Sequence, residues 1–305
     1  MVSSGSALDA GRLLMLREVA LRGTIAAAAR SLGLTPSAVS QQVAVLEREA
    51  GVALLDRSPR GVALTGAGHA LAARAASIVD VLASARADID RISGAVTGPV
   101  AVAAVASAAA TLVSAAVIGL RTREPGVDVS VVVAEPAQAL RMLLADDVDI
   151  AVVDEYDYVP LALPDYLLGR ELCAEKLVVV SAPGALGATT RGGVALASLM
   201  SEDWVMPPDD AACGLAVRSA CRAAGFEPRV RWETDDLLLL VRAVAAGHGI
   251  AVLPRLAVVD GIADVDVRPL RSPPLRRRIT AVTRSSASSR PVVESVLDAM
   301  ADAAR

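Results

Sequence analysis

Cysteine is sparse in this chain. Cys173, Cys213 and Cys221 are the only three in 305 residues. So small and odd a set argues against a disulfide scaffold and for a cytoplasmic protein. Histidine is scarcer still, with only His69 and His248. No His, Cys, Asp and Glu stand together at metal-ligand spacing, and no nucleophile motif accompanies the two distant histidines. No metal, no cofactor and no catalytic residue is therefore expected. Gly247-His248-Gly249 lacks the lysine and the longer glycine run of a phosphate loop and reads as a turn. Long apolar runs are also missing. Mean hydropathy is +0.50, yet no uninterrupted stretch reaches the roughly 18–20 residues of a membrane span. A charged segment leading into an apolar stretch and a cleavage site is absent too, so no signal peptide is expected. Lysine occurs once, at Lys176, and phenylalanine once. With abundant alanine, this is the mark of a G+C-rich genome and carries no function.

A chain of 305 residues has room for two domains or more. Its charge is uneven. Residues 1–93 hold 10 Arg against 8 acids, and residues 94–305 hold 20 basic against 26 acidic groups, within an overall charge of −4. The basic excess at the N-terminal end fits a local nucleic-acid contact, not one spread over the surface.

The most informative stretch is Thr24 to Glu47. Thr24 caps an alanine-rich helix that ends at Gly33-Leu34, and Thr35-Pro36 opens another, with proline at the first helical position. At 100° per residue, Val39, Val43 and Leu46 share one face, and Ser37, Ser40, Gln41 and Ala44 the other. The second face is small and hydrogen-bonding, as a helix entering a major groove requires, and Gln41 can pair with adenine through two bonds. The same pattern also fits a plain helical hairpin with a polar solvent face. The flanking sequence decides for DNA. Leu13, Leu16, Val19 and Ala20 predict a helix ahead of the pair. Residues 52–65 predict a β-hairpin with Arg57 and Arg60 at its tip, placed for phosphates or a minor groove. Together these make a winged helix-turn-helix over residues 1–65, with residues 1–10 disordered.

Thr65 caps a long helix over 66–93. Leu71, Ala75, Ile78, Leu82, Ala85, Ile89 and Ile92 alternate spacings of four and three, a heptad seam that calls for a partner helix. A second copy of the chain is the simple partner, and packing on the chain's own body is the alternative. From Pro99 onward, strands alternate with helices. Strands are expected at Val100–Val105, Val127–Glu135, Ile150–Val153, Lys176–Ser181, Trp204–Met206, Val230–Glu233, Ile250–Leu253, Val265–Pro269 and Ile279–Val282. Helices are expected at 109–123, 137–145, 209–224, 235–247 and 291–303. The order predicts two α/β subdomains, 94–167 with 268–305 and 168–267, around a ligand cleft. Arg276-Arg277-Arg278 reads as a solvated run at a strand start.

These stretches resemble the LysR-type transcriptional regulators over nearly the whole chain. The carrying segments are GTIAAAARSLGLTPSAVSQQVAVLEREAGVALLDRSPRGVALTGAG at 23–68, EPGV at 124–127, DDVDIAV at 146–152, RAAGF at 222–226 and VAAGHGIAVLP at 244–254. The resemblance implies a sequence-specific regulator of multidomain α and α/β fold. Its parts are a winged helix-turn-helix, a dimerising linker helix and a C-terminal domain like periplasmic binding proteins. It implies a homodimer, commonly a homotetramer, that bends double-stranded promoter DNA, answers to a small effector and engages RNA polymerase. The carried-over DNA contacts are Thr35, Pro36, Ser37, Ser40, Gln41, Arg57 and Arg60, with Gln41 standing where many members have arginine. Effector contacts map to Ser107, Thr111, Glu135, Pro136, Asp209 and Thr234, and dimer contacts to Leu71, Ile78, Leu82 and Ile89. Ser107 and Thr111 fit an anion at a helix N-terminus. Pro136 offers no donor, and Glu135 and Asp209 favour a cationic or hydroxylated ligand.

Three other readings remain open. Cys213 and Cys221 lie where the peroxide-sensing OxyR regulators carry a reactive pair. They could form a redox switch, although one helix would hold them about 12 Å apart. The N-terminal helices could serve only to oligomerise a ligand-binding α/β protein. The chain could also be a nonspecific architectural DNA binder.

Overall fold

The computed structural model describes residues 8–58, 61–93, 96–164, 166–187, 192–259, 261, 263–272 and 274–305. It divides into two compact units. The first comprises Met1–Ala95 with Leu144–Asp147 and Arg284–Pro291, and the second is the remainder.

In the first unit, α1 (Ala10–Arg22), α2 (Ile25–Ser31) and α3 (Pro36–Ala50) follow one another. Each begins on an N-cap side chain, Asp9, Thr24 or Thr35, that accepts a backbone N–H two residues into the helix. Leu13, Leu16, Val19, Ala28, Ala29, Val39, Val43 and Leu46 form one core with Leu54 and Leu55. The wing is the antiparallel pair β1 (Leu55–Ser58) and β2 (Gly61–Leu64), with Leu55 opposite Leu64 and Ser58 opposite Gly61. Glu47 anchors its base, accepting the Leu54 and Leu55 N–H groups at 2.8 and 3.0 Å.

Helix α4 (Gly66–Ser93) leaves the wing at Gly68, where a Cβ would lie 2.2 Å from the Leu54 carbonyl oxygen, so only glycine allows the approach. Its seam changes character along its length. Ala75 is fully buried in the head's core, and Leu71 and Ile78 pack against that core. Leu82, Ile89 and Ile92 are 62%, 59% and 87% exposed. Among the described residues, no helix is long and apolar enough to cross a membrane.

In the second unit, β3 (Gly98–Ala104) runs parallel to β4 (Val127–Val133) on one side and to β5 (Ile150–Tyr156) on the other, and β12 (Arg276–Arg284) pairs antiparallel with β5. The strand expected at Lys176–Ser181 begins earlier, as the single long β6 (Leu167–Ser181). It carries β10 (Ala251–Pro254) and β11 (Asp266–Ser272) antiparallel to itself. A second small sheet is the parallel pair β8 (Asp203–Met206) and β9 (Arg229–Glu233). The helical segment after β3 is not uniform: α5 (Ala106–Ala108) passes through a π turn at Ala109–Val113 into α6 (Ser114–Arg123). The short strand β7 (Val194–Ala195) pairs parallel with β11. Helices α7 (Pro136–Leu144), α8 (Ala212–Ala223), α9 (Leu237–Ala245) and α11 (Pro291–Ala303) complete the layers, and the short α10 (Ser285–Ser288) belongs to the first unit. Three cores result. One joins β3, β5 and β12 to α6 and α11, another joins β6 to α8 around the fully buried Trp204, and the third joins β6 and β10 to α9. Arg277 corrects the solvated reading of its run: it is 2% exposed.

Candidate functional site

Helix α3 presents two opposite faces. Val39, Val43 and Leu46 are fully buried. Ser37 and Gln41 are exposed and Ser40 is half-buried. Thr35 Oγ1 accepts the Ala38 N–H at 3.2 Å and lies 3.0 Å from Ser37 Oγ, which fixes the exposed end of the helix. The neighbouring amide, Gln42, is engaged: its Oε1 accepts from Arg12 Nε at 3.0 Å. Gln41 is thus the amide offered on the outer face. Arg57 lies in β1, but its side chain is outside the described residues, as is the whole of Arg60.

The second feature is a cleft in the C-terminal unit, enclosing about 60 Å³. Strand ends and helix starts converge on it. Ser107 comes from α5, Glu135 from the β4–α7 turn, Asp154 and Tyr156 from β5, Cys213 from the start of α8, Asp235 from the β9–α9 turn and Arg277 from β12. Gly214 lets α8 come close, because a Cβ there would lie 2.0 Å from the Pro208 carbonyl oxygen. Val105, Leu237, Leu253 and Ala257 give the cleft an apolar wall.

Arg277 is the centre of this cleft. Its Nη1 donates to Ser107 Oγ at 2.7 Å and to Asp154 Oδ2 at 3.1 Å. Its Nε donates to Glu175 Oε1 at 2.9 Å, and its Nη2 pairs with the same carboxylate. Tyr156 OH donates to Asp154 Oδ2 at 2.9 Å, and the guanidinium lies 6.0 Å from the Tyr156 ring centroid. Glu175 also accepts the Leu256 N–H at 2.9 Å, so β12, β6 and the turn after β10 are tied through one carboxylate. Burial, reinforced by Cys213 and Asp154, raises Tyr156 well above the usual phenol range and keeps it a donor. Glu135 sits exposed on the rim, yet desolvation of its carboxyl, with Asp154, Asp235 and Asp210 adding repulsion, raises its pKa.

Of the effector positions expected from sequence, Ser107 and Glu135 line the cleft. Thr111 turns its hydroxyl to the Ser107 carbonyl at 2.7 Å, and Thr234 Oγ1 accepts the Asp236 N–H at 3.1 Å, both within their own turns. Pro136 is buried at the start of α7, and Asp209 is exposed ahead of α8. Asp154, Tyr156 and Asp235 have no signal in the sequence that places them at the cleft, and Arg277 reads there as solvated. A signal was available for the last: Arg277 is in period-two phase with Ile279 and Ala281, the core face of β12.

Both cysteines of the suspected redox pair lie on α8. Cys213 faces the cleft and Cys221 is buried in the core. Burial pushes each thiol up to about 12. Among the described residues, no group of His, Cys, Asp and Glu could hold a metal ion.

Residues 11–69 match the family model described as "Bacterial regulatory helix-turn-helix protein, lysR family", and residues 93–305 match "LysR substrate binding domain". A probable HTH-type transcriptional regulator, LrrA, of Synechococcus elongatus is 31% identical over 291 residues, 95% of each chain. The small neutral protease regulatory protein of Streptomyces coelicolor is 30% identical, over 87% of this chain and 83% of its own. Among solved structures, full-length OxyR from Pseudomonas aeruginosa superposes with a TM-score of 0.68 at 21% identity, covering 98% of this chain and 95% of that one. Full-length CbnR complexed with its target DNA gives 0.57 at 21% identity, covering 97% and 100%.

Proposed function

The chain belongs to the LysR family of bacterial DNA-binding transcriptional regulators, with an N-terminal helix-turn-helix and a C-terminal effector-binding domain, and from that premise we propose how its residues divide the work. The family consists of regulators, not enzymes. Residues 1–65 read promoter DNA in the cytoplasm. Thr35, Pro36, Ser37, Ser40 and Gln41 enter the major groove, while Arg57 and Arg60 of the wing meet the backbone or minor groove. Residues 66–93 pair with a second copy through Leu82 and Ile89, whose exposure supports an intermolecular role, while Leu71 and Ile78 steady the helix on the head. Residues 94–305 bind a small effector in the cleft at Ser107 and Glu135. Thr111, Pro136, Asp209 and Thr234 shape the surrounding turns. Effector-driven rotation of the two subdomains changes the spacing of paired heads, and with it promoter bending and RNA polymerase recruitment.

The observation that carries the DNA-reading part is α3 itself: exposed Ser37 and Gln41 stand opposite fully buried Val39 and Val43. Footprinting on the DNA upstream of its own gene, at physiological salt, tests it. A discrete site for the wild type, with Gln41→Ala losing chiefly specificity, is the expected result. Equal binding to all DNA would mean an architectural binder instead.

A further inference from the structure

The effector cleft proposed above has a charge that selects its ligand. Among the described residues lining it, Arg277 is the sole cation, and its charge is matched by Asp154 and Glu175, with a further hydrogen bond to Ser107. An anion would therefore find no free positive group. At the head of α7 the first position is Pro136, which has no N–H to give. Two further carboxylates, Glu135 and Asp235, stand on the lips of the two subdomains. One lies in the β4–α7 turn and the other in the β9–α9 turn, and Asp235 is among the charges that raise the Glu135 pKa. Between them lie a small space and the apolar wall of Val105, Leu237, Leu253 and Ala257.

We propose that the cleft takes a small organic cation, an ammonium or guanidinium head on a short apolar stem, bridging Glu135 and Asp235. The head exchanges repulsion between the lips for two charge-assisted hydrogen bonds, and the stem covers the apolar wall. Bound this way, the cation draws the two subdomains together, so ligand charge and cleft closure are one event. This inference rests on the effector reading above.

The test uses the full chain, with agmatine, putrescine and benzylamine set against glutarate and benzoate. Thermal melting and the promoter footprint are read in parallel. At least one amine is expected to raise the melting temperature saturably. Its affinity should fall about tenfold for Glu135→Gln and again for Asp235→Asn, the loss of one charge-assisted bond each. Both positions are exposed, so neither substitution opens a core. Without ligand, Asp235→Asn should melt above wild type, because it removes a repulsion. A response to carboxylates alone, or to no probe, overturns the cation class, as does an unliganded Asp235→Asn that melts lower. A carboxylate that shifts the footprint would overturn the class while leaving effector control standing. A footprint that no bound probe shifts would count against effector control itself.

Discussion

The DNA-reading helix and the effector cleft are built on opposite plans. Helix α3 takes its cap, its buried face and its exposed face from sixteen consecutive residues, Thr35–Ala50. The cleft draws Ser107, Glu135, Asp154, Asp235 and Arg277 from turns and strands spread over the whole C-terminal unit. A site of the first kind is held by local hydrogen bonds and one strip of core. A site of the second kind is held by the contacts that bring distant strands together, here Arg277 on Asp154 and Glu175. Damage should therefore stay local in α3 and spread in the cleft.

The largest effect is expected from Arg277→Ala. It strips the guanidinium from two carboxylates on β5 and β6 and leaves them largely buried without a counter-charge, a loss of about 3–5 kcal/mol. Urea denaturation of the isolated variant checks this. A loss under about 1 kcal/mol would mean that the network does not hold the cleft together. Gln41→Ala is expected to leave the denaturation midpoint unmoved while reducing discrimination at one base pair by about 1–3 kcal/mol. Competition binding with single-base operator variants measures it, and a uniform loss across all variants would move Gln41 from the base edge to the backbone. Thr35→Ala removes the cap that α3 depends on and should cost about 1 kcal/mol in stability, visible as a small drop in melting temperature. The gentlest probe is chemical. Folded-state ionisation of Cys213 and Cys221 is suppressed until about pH 12, against an ordinary value of 9.0. Alkylation of the native chain, carried in Cys173→Ala, should therefore keep accelerating about tenfold per pH unit beyond pH 9 with no plateau. The denatured chain should level off near the ordinary value. A plateau near neutral pH in the native chain would revive the redox switch.

The same contrast decides what could be read from sequence. The expected faces of α3 are the observed ones, because helical phase depends only on neighbours. The alternation of strands and helices after Pro99 was legible for the same reason. Arg277 was not, because three consecutive arginines look solvated until the strand's alternation is traced down to Ile279 and Ala281. Asp154 and Tyr156 sit at the end of β5, beyond Val153, where the sequence pattern placed the strand's end; the structure continues it to Tyr156. Asp235 belongs to a turn whose neighbour Thr234 attracted attention by family position. What assembles across distant strands has no local signature, and the sequence pattern marks only the elements that carry it.

Helix α4 is fixed to its own head through Ala75 and leaves Leu82, Ile89 and Ile92 uncovered. Under the proposed pairing, this makes the helix a phase-setting shaft. Each residue between the committed part and the free part turns the pairing face by about 100° relative to the head. Inserting one residue there would aim the two heads at different sides of the DNA, whereas inserting seven would restore the angle to within about 20°. The rotational phase of the two operator half-sites is thus written in residue count along α4, independently of the face of α3 that reads the bases.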